Sequence, residues 1–220
     1  ARKIPKREMQ ENPAVRKALL EERNKQLNAK WPKCPRRNPT KQGKGTWDVS
    51  SVCERWKKVQ ECQRANKTIH LGRVAAMCYE KGSELPENHP ERKMRARSVF
   101  LGDNVIDQWY QEAEMEGLGA APPAMEDSRA LDAMSCQPGY VQTISDADSA
   151  YLQAWLGSKY EVWVEIPREY WLPEWEGKYE RPLCLLVLAL YGHEDSGGYW
   201  EEKSYGDVMA CGWVKVRRGV

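Results

Sequence analysis

The residues with the most chemical potential lie together in Ser145-Asp146-Ala147-Asp148-Ser149-Ala150-Tyr151-Leu152-Gln153. The pattern before them, Gly139 to Ser145, reads as a β-strand that would deliver Asp146 at its end. A carboxylate in that position, beside backbone that can approach phosphates, suits phosphoryl transfer. Mg²⁺ or Mn²⁺ takes hard oxygen ligands, one or two carboxylates with substrate phosphates completing the shell. Two such ions polarise an attacking hydroxyl and stabilise a leaving oxygen, while the protein chiefly positions the reactants. Taken alone, a strand-end aspartate is more often a local cap.

The elements that must hold this segment read as an α+β chain. Asn12-Pro13 opens an amphipathic helix that runs to about Lys30, carrying Val15, Leu19, Leu20 and Leu27 with charge between them. Pro32 and Pro35 stop it, and a basic loop with Gly43 and Gly45 follows. Trp47 to Val49 predicts a short strand. Arg73–Tyr79 and Arg95–Leu101 predict an antiparallel hairpin around a Lys81–Pro90 turn. Asp107–Met115 and residues 126–135 carry helical patterns, the first ended by residues 121–123. Ser149–Leu156 reads as helical. Val162–Ile166 and Leu183–Tyr191 are strands, the second apolar enough to be buried on both faces. Glu201–Cys211 reads as a closing helix with Gly212 past its end.

Charge is divided between the two halves of the chain. Residues 1–100 hold 25 Lys and Arg against 11 Asp and Glu, a net +14, and residues 101–220 are net −12. The basic half suits a polyanion and the acidic half suits cations; a solvated basic surface without a partner is the alternative. The longest apolar run, Leu183 to Tyr191, is too short to span a bilayer, so no membrane partner is expected. The seven cysteines lack zinc-knuckle spacing; a Cys53, Cys62, His70, Cys78 set fits the usual ligand gaps poorly. They read as reduced, mostly buried thiols of an intracellular protein. Both termini read as cuts through a longer polypeptide.

Five segments, lying in one order along the chain, turn these readings toward one family. Asp146 followed after three residues by Ala150-Tyr151 resembles the first catalytic motif of reverse transcriptases. Val162-Trp163-Val164-Glu165-Ile166-Pro167 resembles the next strand of copia-type retrotransposon polymerases. Leu190-Tyr191-Gly192 with Trp200 matches the leucine-tyrosine-glycine motif and its downstream tryptophan. Arg95-Ala96-Arg97-Ser98-Val99 with Gly102 resembles the basic fingers strand, and Trp47-Asp48-Val49 falls where an early tryptophan strand is placed. The likeness runs over residues 13–213.

The resemblance implies an RNA-directed DNA polymerase of the right-hand type, with an antiparallel sheet and packed helices. Residues 1–45 would be an N-terminal helix and basic linker, and residues 46–220 the fingers with part of the palm, incomplete at the C-terminus. Asp146 and the backbone carbonyl of Ala147 would ligate Mg²⁺ or Mn²⁺. Tyr151 would gate against a 2′-hydroxyl, with Ser149 and Ala150 beside the nucleotide, and Arg95 and Arg97 would reach its triphosphate. The implied partners are an RNA or DNA template-primer, dNTP and the rest of a retrotransposon polyprotein, in the cytoplasm (a virus-like particle) or nucleus.

The sequence also departs from the pattern. The second metal motif, with paired aspartates, is absent, and Tyr205-Gly206-Asp207-Val208 is only a lookalike. The isolated piece is therefore expected not to polymerise. Asp195 stands where a nucleotide-contacting glutamine is usual, Gly198 where an arginine is usual, and Leu101 where a basic residue is usual. Two other readings stay open: a non-catalytic nucleic-acid-binding remnant, and a protein-interaction module using Trp163, Trp171 and Trp175 as an exposed segment.

Overall fold

In the computed structural model, residues 1–32, 43–119 and 124–214 are described. Pro35, Cys34, most of the expected basic loop and the break at residues 121–123 lie outside them. The chain begins with β1 (Arg2–Lys3), α1 (Lys6–Glu11) and α2 (Pro13–Asn28). It continues through β2 (Trp47–Glu54), α3 (Arg55–Arg64), β3 (Ile69–Lys81) and β4 (Lys93–Phe100). After α4 (Met125–Ser135) come β5 (Glu161–Glu165), β6 (Pro182–Leu186) and α5 (Ser196–Ala210).

The long strand β3 organises the sheet. Its first half, Ile69 to Arg73, pairs in parallel with β5, and its second half, Val74 to Lys81, pairs antiparallel with β4. β6 then joins β5 to β2, giving the path β1-β3-β5-β6-β2 with β4 on β3. The sheet expected to be antiparallel is thus mixed, because the chain between β3 and β5 is long enough for a parallel return. The expected hairpin is present. Its turn begins at Gly82, which adopts φ +71° where any side chain would be strained.

Period-two alternation sorts the sheet residues onto two faces. One face sets Val74, Cys78, Ala96, Phe100, Val162, Val164, Cys184 and Leu186 against Val15, Ala18 and Leu19 of α2, forming the main core. α2 starts as expected, since Asn12 Oδ1 accepts the Ala14 N–H at 2.9 Å and Pro13 takes the first helical position. A relay of hydrogen bonds ties this helix to the sheet. Thr46 Oγ1 donates to Gln26 Oε1 at 2.6 Å, and Gln26 Nε2 donates to Glu22 Oε1 at 2.8 Å. The same Glu22 oxygen accepts the Ser98 N–H of β4 at 3.0 Å. On the other face, α3 covers Ile69, Leu71, Trp163 and Leu183 with Val59 and Cys62.

Several expected elements differ. The expected helix at Asp107–Met115 is a turn, because Asp107 Oδ1 accepts the Trp109 and Gln111 N–H groups and so competes with helical bonding. The expected strand Gly139–Ser145 has no ladder partner among the described residues; it is irregular and exposed. The helix expected over Ser149–Leu156 is a single 3-10 turn, Ala150–Gln153. Of the apolar run Leu183–Tyr191 only the first part is in β6. Beyond it the Val187 and Leu188 N–H groups both donate to the Thr46 carbonyl, and the Ala189 N–H to the Ala154 carbonyl. α5 begins five residues earlier than expected, through Gly197 and Gly198. Trp163 and Trp175 are buried, so they are core rather than an exposed segment. Among the described residues no helix is long and apolar enough to cross a membrane. Cys53, Cys62, Cys78, Cys136, Cys184 and Cys211 are free thiols.

Candidate functional site

The segment that carries Asp146 ends on a rigid turn. Ser149 adopts the left-handed conformation at φ +55°, and its carbonyl accepts the Leu152 N–H at 2.8 Å. Buried Leu152 anchors the turn in the core, and Gln153 Nε2 donates to the Asp148 carbonyl at 2.7 Å. Ser149 Oγ donates to Asp148 Oδ1 at 3.0 Å. Tyr151 then lies edge-on to Tyr191, with ring centroids 4.4 Å apart. Asp146 and Ala147 sit upstream of this turn on exposed, irregular backbone.

Tyr191 is also where the basic strand arrives. The Phe100 N–H, at the end of β4, donates to the Tyr191 carbonyl at 2.7 Å. Two glycines permit the approach. A Cβ on Gly192, which has φ +89°, would lie 2.0 Å from the Phe100 carbonyl oxygen, and one on Gly102 would lie 2.3 Å from the Gly192 carbonyl oxygen. Three segments far apart in sequence, those of Arg95 and Arg97, of Tyr151, and of Tyr191 and Gly192, therefore meet at one joint.

Asp195 and Gly198 form a second joint beside the first. The Asp195 carboxylate is buried and accepts the Leu118 N–H at 2.7 Å and the Glu116 N–H at 3.2 Å. Gly198 lets the same loop come close, since a Cβ there would lie 2.6 Å from the Leu118 carbonyl oxygen. The two departures from the expected motif are one device: a carboxylate that clamps a loop backbone and a glycine that makes room for it. Asp195 is thereby committed to two amides rather than turned to solvent. Glu116, in the clamped loop, accepts the Lys159 N–H and, at 3.3 Å, the Tyr199 hydroxyl.

Two buried histidines flank this region. His193 follows the glycine turn, its Nδ1 accepting the Asp195 N–H at 3.3 Å and its ring 5.0 Å from Phe100. Among the described residues its Nε2 has no hydrogen-bond partner, nor does His70 Nδ1. Burial pushes His193 down to about 4, and burial likewise lowers His70.

The outer face of the β3–β4 hairpin is basic. Cross-strand partners share a face, so Arg95 stands beside Tyr79, Arg97 beside Met77, and Lys93 beside Lys81. Arg73 and, through β1, Lys3 lie on the same side. Arg95 and Arg97 do project together, both exposed. No ion pair engages Arg73, Lys81, Lys93, Arg95 or Arg97 among the described residues. The nearby carboxylate Glu80 belongs to the opposite, buried face. There Arg92 and Arg2 bind it at 2.6 and 3.0 Å and hold its carboxyl below the usual range.

Sequence reasoning singled out Arg95 and Arg97 but not Arg73, Lys81 and Lys93, which the period-two rule would have placed beside them. It also missed an open cleft of about 510 Å³ lined by Lys25, Lys30, Trp31, Asp148, Ser149 and Lys203. Asp146 is not among the residues lining that cleft. Among the described residues no three His, Cys, Asp or Glu side chains cluster as a metal site. No family model, curated protein or solved structure matches the chain, and its function is therefore read from the site itself.

Proposed function

We propose that these residues form the fingers and part of the palm of a copia-type RNA-directed DNA polymerase. In that reading the basic hairpin face engages a template-primer and dNTP, and Tyr151 closes the floor beneath the deoxyribose. The reaction class is nucleotidyl transfer from a dNTP to a primer 3′-hydroxyl. The observation that carries the reading is the joint at Tyr191, where three of the five ordered segments meet although up to about a hundred residues separate them. Unrelated coincidences of sequence have no reason to converge in space.

The residues present do not by themselves fit a pair of divalent ions, since no group of three ligating side chains forms among the described residues. This chain's own contribution is binding and positioning, and by itself it does not polymerise. The test is primer extension with Mg²⁺ or Mn²⁺ by a polypeptide continued through a paired-aspartate motif. Asp146→Asn abolishes synthesis there and leaves template binding intact. Full synthesis by the variant refutes the assignment.

A second reading, a nucleic-acid-binding remnant without chemistry, is favoured by the Asp195–Gly198 joint. It fills the expected nucleotide-contact position with a structural clamp. A wild-type extended polypeptide that binds primer-template yet makes no product selects this reading.

A further inference from the structure

Backbone bonding brings Tyr151 and Tyr191 to each other. The Leu156 N–H donates to the Val187 carbonyl at 3.0 Å and the Ala189 N–H to the Ala154 carbonyl at 2.9 Å, with Trp155 and Leu188 bridged antiparallel between them. Continued outward, that register sets the Tyr151 turn beside Tyr191 and Gly192. The Tyr191 backbone is fixed on both sides. Its carbonyl accepts the Phe100 N–H at 2.7 Å, and the buried Leu190 before it donates to Ser196 Oγ at 3.0 Å. Gly192 after it leaves no room for a Cβ beside the Phe100 carbonyl. The Tyr191 ring is 44% exposed, and among the described residues its hydroxyl makes no hydrogen bond. What the ring touches is Tyr151, edge to face, with centroids 4.4 Å apart and planes at 66°.

Tyr151 is held less firmly. It stands on the single 3-10 turn Ala150–Gln153, where the next residue, Leu152, is buried and Tyr151 itself is half-buried. A half-buried ring keeps its alternative rotamers unless a neighbour fills the space they need. Tyr191 fills one such space. Because its own backbone is tied to the end of β4 and the start of α5, the edge it presents to Tyr151 is a fixed wall.

We infer that Tyr191 is a positioning residue: it fixes the orientation of the Tyr151 ring and so sets how strongly the site prefers a deoxyribonucleotide to a ribonucleotide. The inference rests on the proposal that Tyr151 closes the floor beneath the deoxyribose. Exclusion by bulk depends on where the bulk stands. A ring free to turn aside makes room for a 2′-hydroxyl, whereas a deoxyribose needs no such room. Removing the wall therefore improves ribonucleotide binding and leaves deoxyribonucleotide binding as it was. Damage to the frame does the opposite, since it weakens both.

The test is equilibrium dialysis of radiolabelled dTTP and UTP, with Mg²⁺, against the full chain bound to a primer-template whose next template base is adenine. Wild type holds dTTP more tightly than UTP. Tyr191→Ala tightens UTP by about fivefold, the scale of one edge-to-face pair, and leaves dTTP unchanged. Tyr191→Phe keeps the ring edge and behaves as wild type. Tyr151→Ala abolishes the preference, and Tyr191→Ala added to it changes nothing more, because the wall then has nothing to hold. Should Tyr191→Ala fail to fold, Tyr191→Leu, which keeps apolar bulk without a flat ring edge, takes its place with the same expected direction. An unchanged preference in the folded variant overturns the inference and leaves the Tyr151 assignment standing. Equal weakening of both nucleotides overturns it as well, for the ring is then part of the frame or of the binding surface. So does a Tyr191→Phe variant as permissive as Tyr191→Ala, which transfers the role to the hydroxyl. A wild type that binds neither nucleotide, or both alike, removes the floor assignment and the inference with it.

Discussion

The joint at Tyr191 and the segment carrying Asp146 were equally prominent in the sequence, yet they have opposite physical character. At the joint, every residue from Val187 to Leu190 is buried and their amides find acceptors on Thr46, Ala154 and Ser196. In the segment from α4 to Asp146 nothing is buried: Val141 and Ile144 are 90% and 91% exposed, and α4 has no buried residue. Local sequence preference is present in both. What differs is whether another part of the chain supplies hydrogen-bond partners and apolar surface, which is where most of the stability of an element resides.

Two glycines with nearly the same backbone make this comparison directly measurable. Gly192 has φ +89° and Gly139 has φ +88°. At Gly192 a methyl group would meet the Phe100 carbonyl, whereas at Gly139 it would meet nothing within 4 Å. Gly192→Ala adds steric overlap to the φ penalty, and we expect a loss of about 4 kcal/mol in denaturant unfolding. Gly139→Ala pays the φ penalty alone, about 1 kcal/mol at most, in a segment that contributes little to the global transition. Equal effects at the two positions would erase the distinction between them.

Acid should act on the joint and spare the segment. His193 is buried and neutral, with its proton affinity lowered to about 4 against an unfolded value near 6.5. The unfolded chain binds the proton first, so stability is fully present above about pH 6.5 and is lost as pH falls toward 4. The carboxylates facing His193 are those of Asp195 and Glu116, and His70 opposes its charging. The expected loss is roughly 3 kcal/mol, read as the fall in denaturation midpoint between pH 7 and pH 4. His193→Asn keeps an acceptor for the Asp195 amide but takes up no proton, and should flatten that dependence. An unaltered pH profile in this variant would assign the acid sensitivity elsewhere.

The same contrast explains what could be read in the chain beforehand. α2 was legible because its start is chemically marked by Asn12 and Pro13, and the hairpin was legible because alternation and turn residues agree. α3 was missed: its preceding residue, Glu54, spends its carboxylate on the Glu180 and Arg181 amides instead of capping the helix. The helix expected at Asp107 was lost to that residue's side chain. The parallel pairing of β3 with β5 could not be read, since it depends on a choice of partner across about ninety residues. Of the site, the order of motifs was legible and Arg95 and Arg97 do share a face. The Asp195–Gly198 joint was not, because its meaning lies in the Leu118 backbone, which no local pattern announces.

The smallest expected effect tests the other end of the comparison. Gly139 to Ser145 contains Tyr140, Val141, Thr143 and Ile144, so intrinsic preference favours a strand. A strand without a neighbour leaves its amides to water and its side chains unburied, and preference alone does not offset the lost chain entropy. Ile144→Ala removes apolar surface that is already in water, so its transfer term vanishes and the expected change in stability is within about 0.5 kcal/mol. A loss above about 1 kcal/mol would mean that Ile144 is covered in solution by some other surface. The irregular segment would then be a strand whose partner had been found, and Asp146 would stand at the end of a ladder after all.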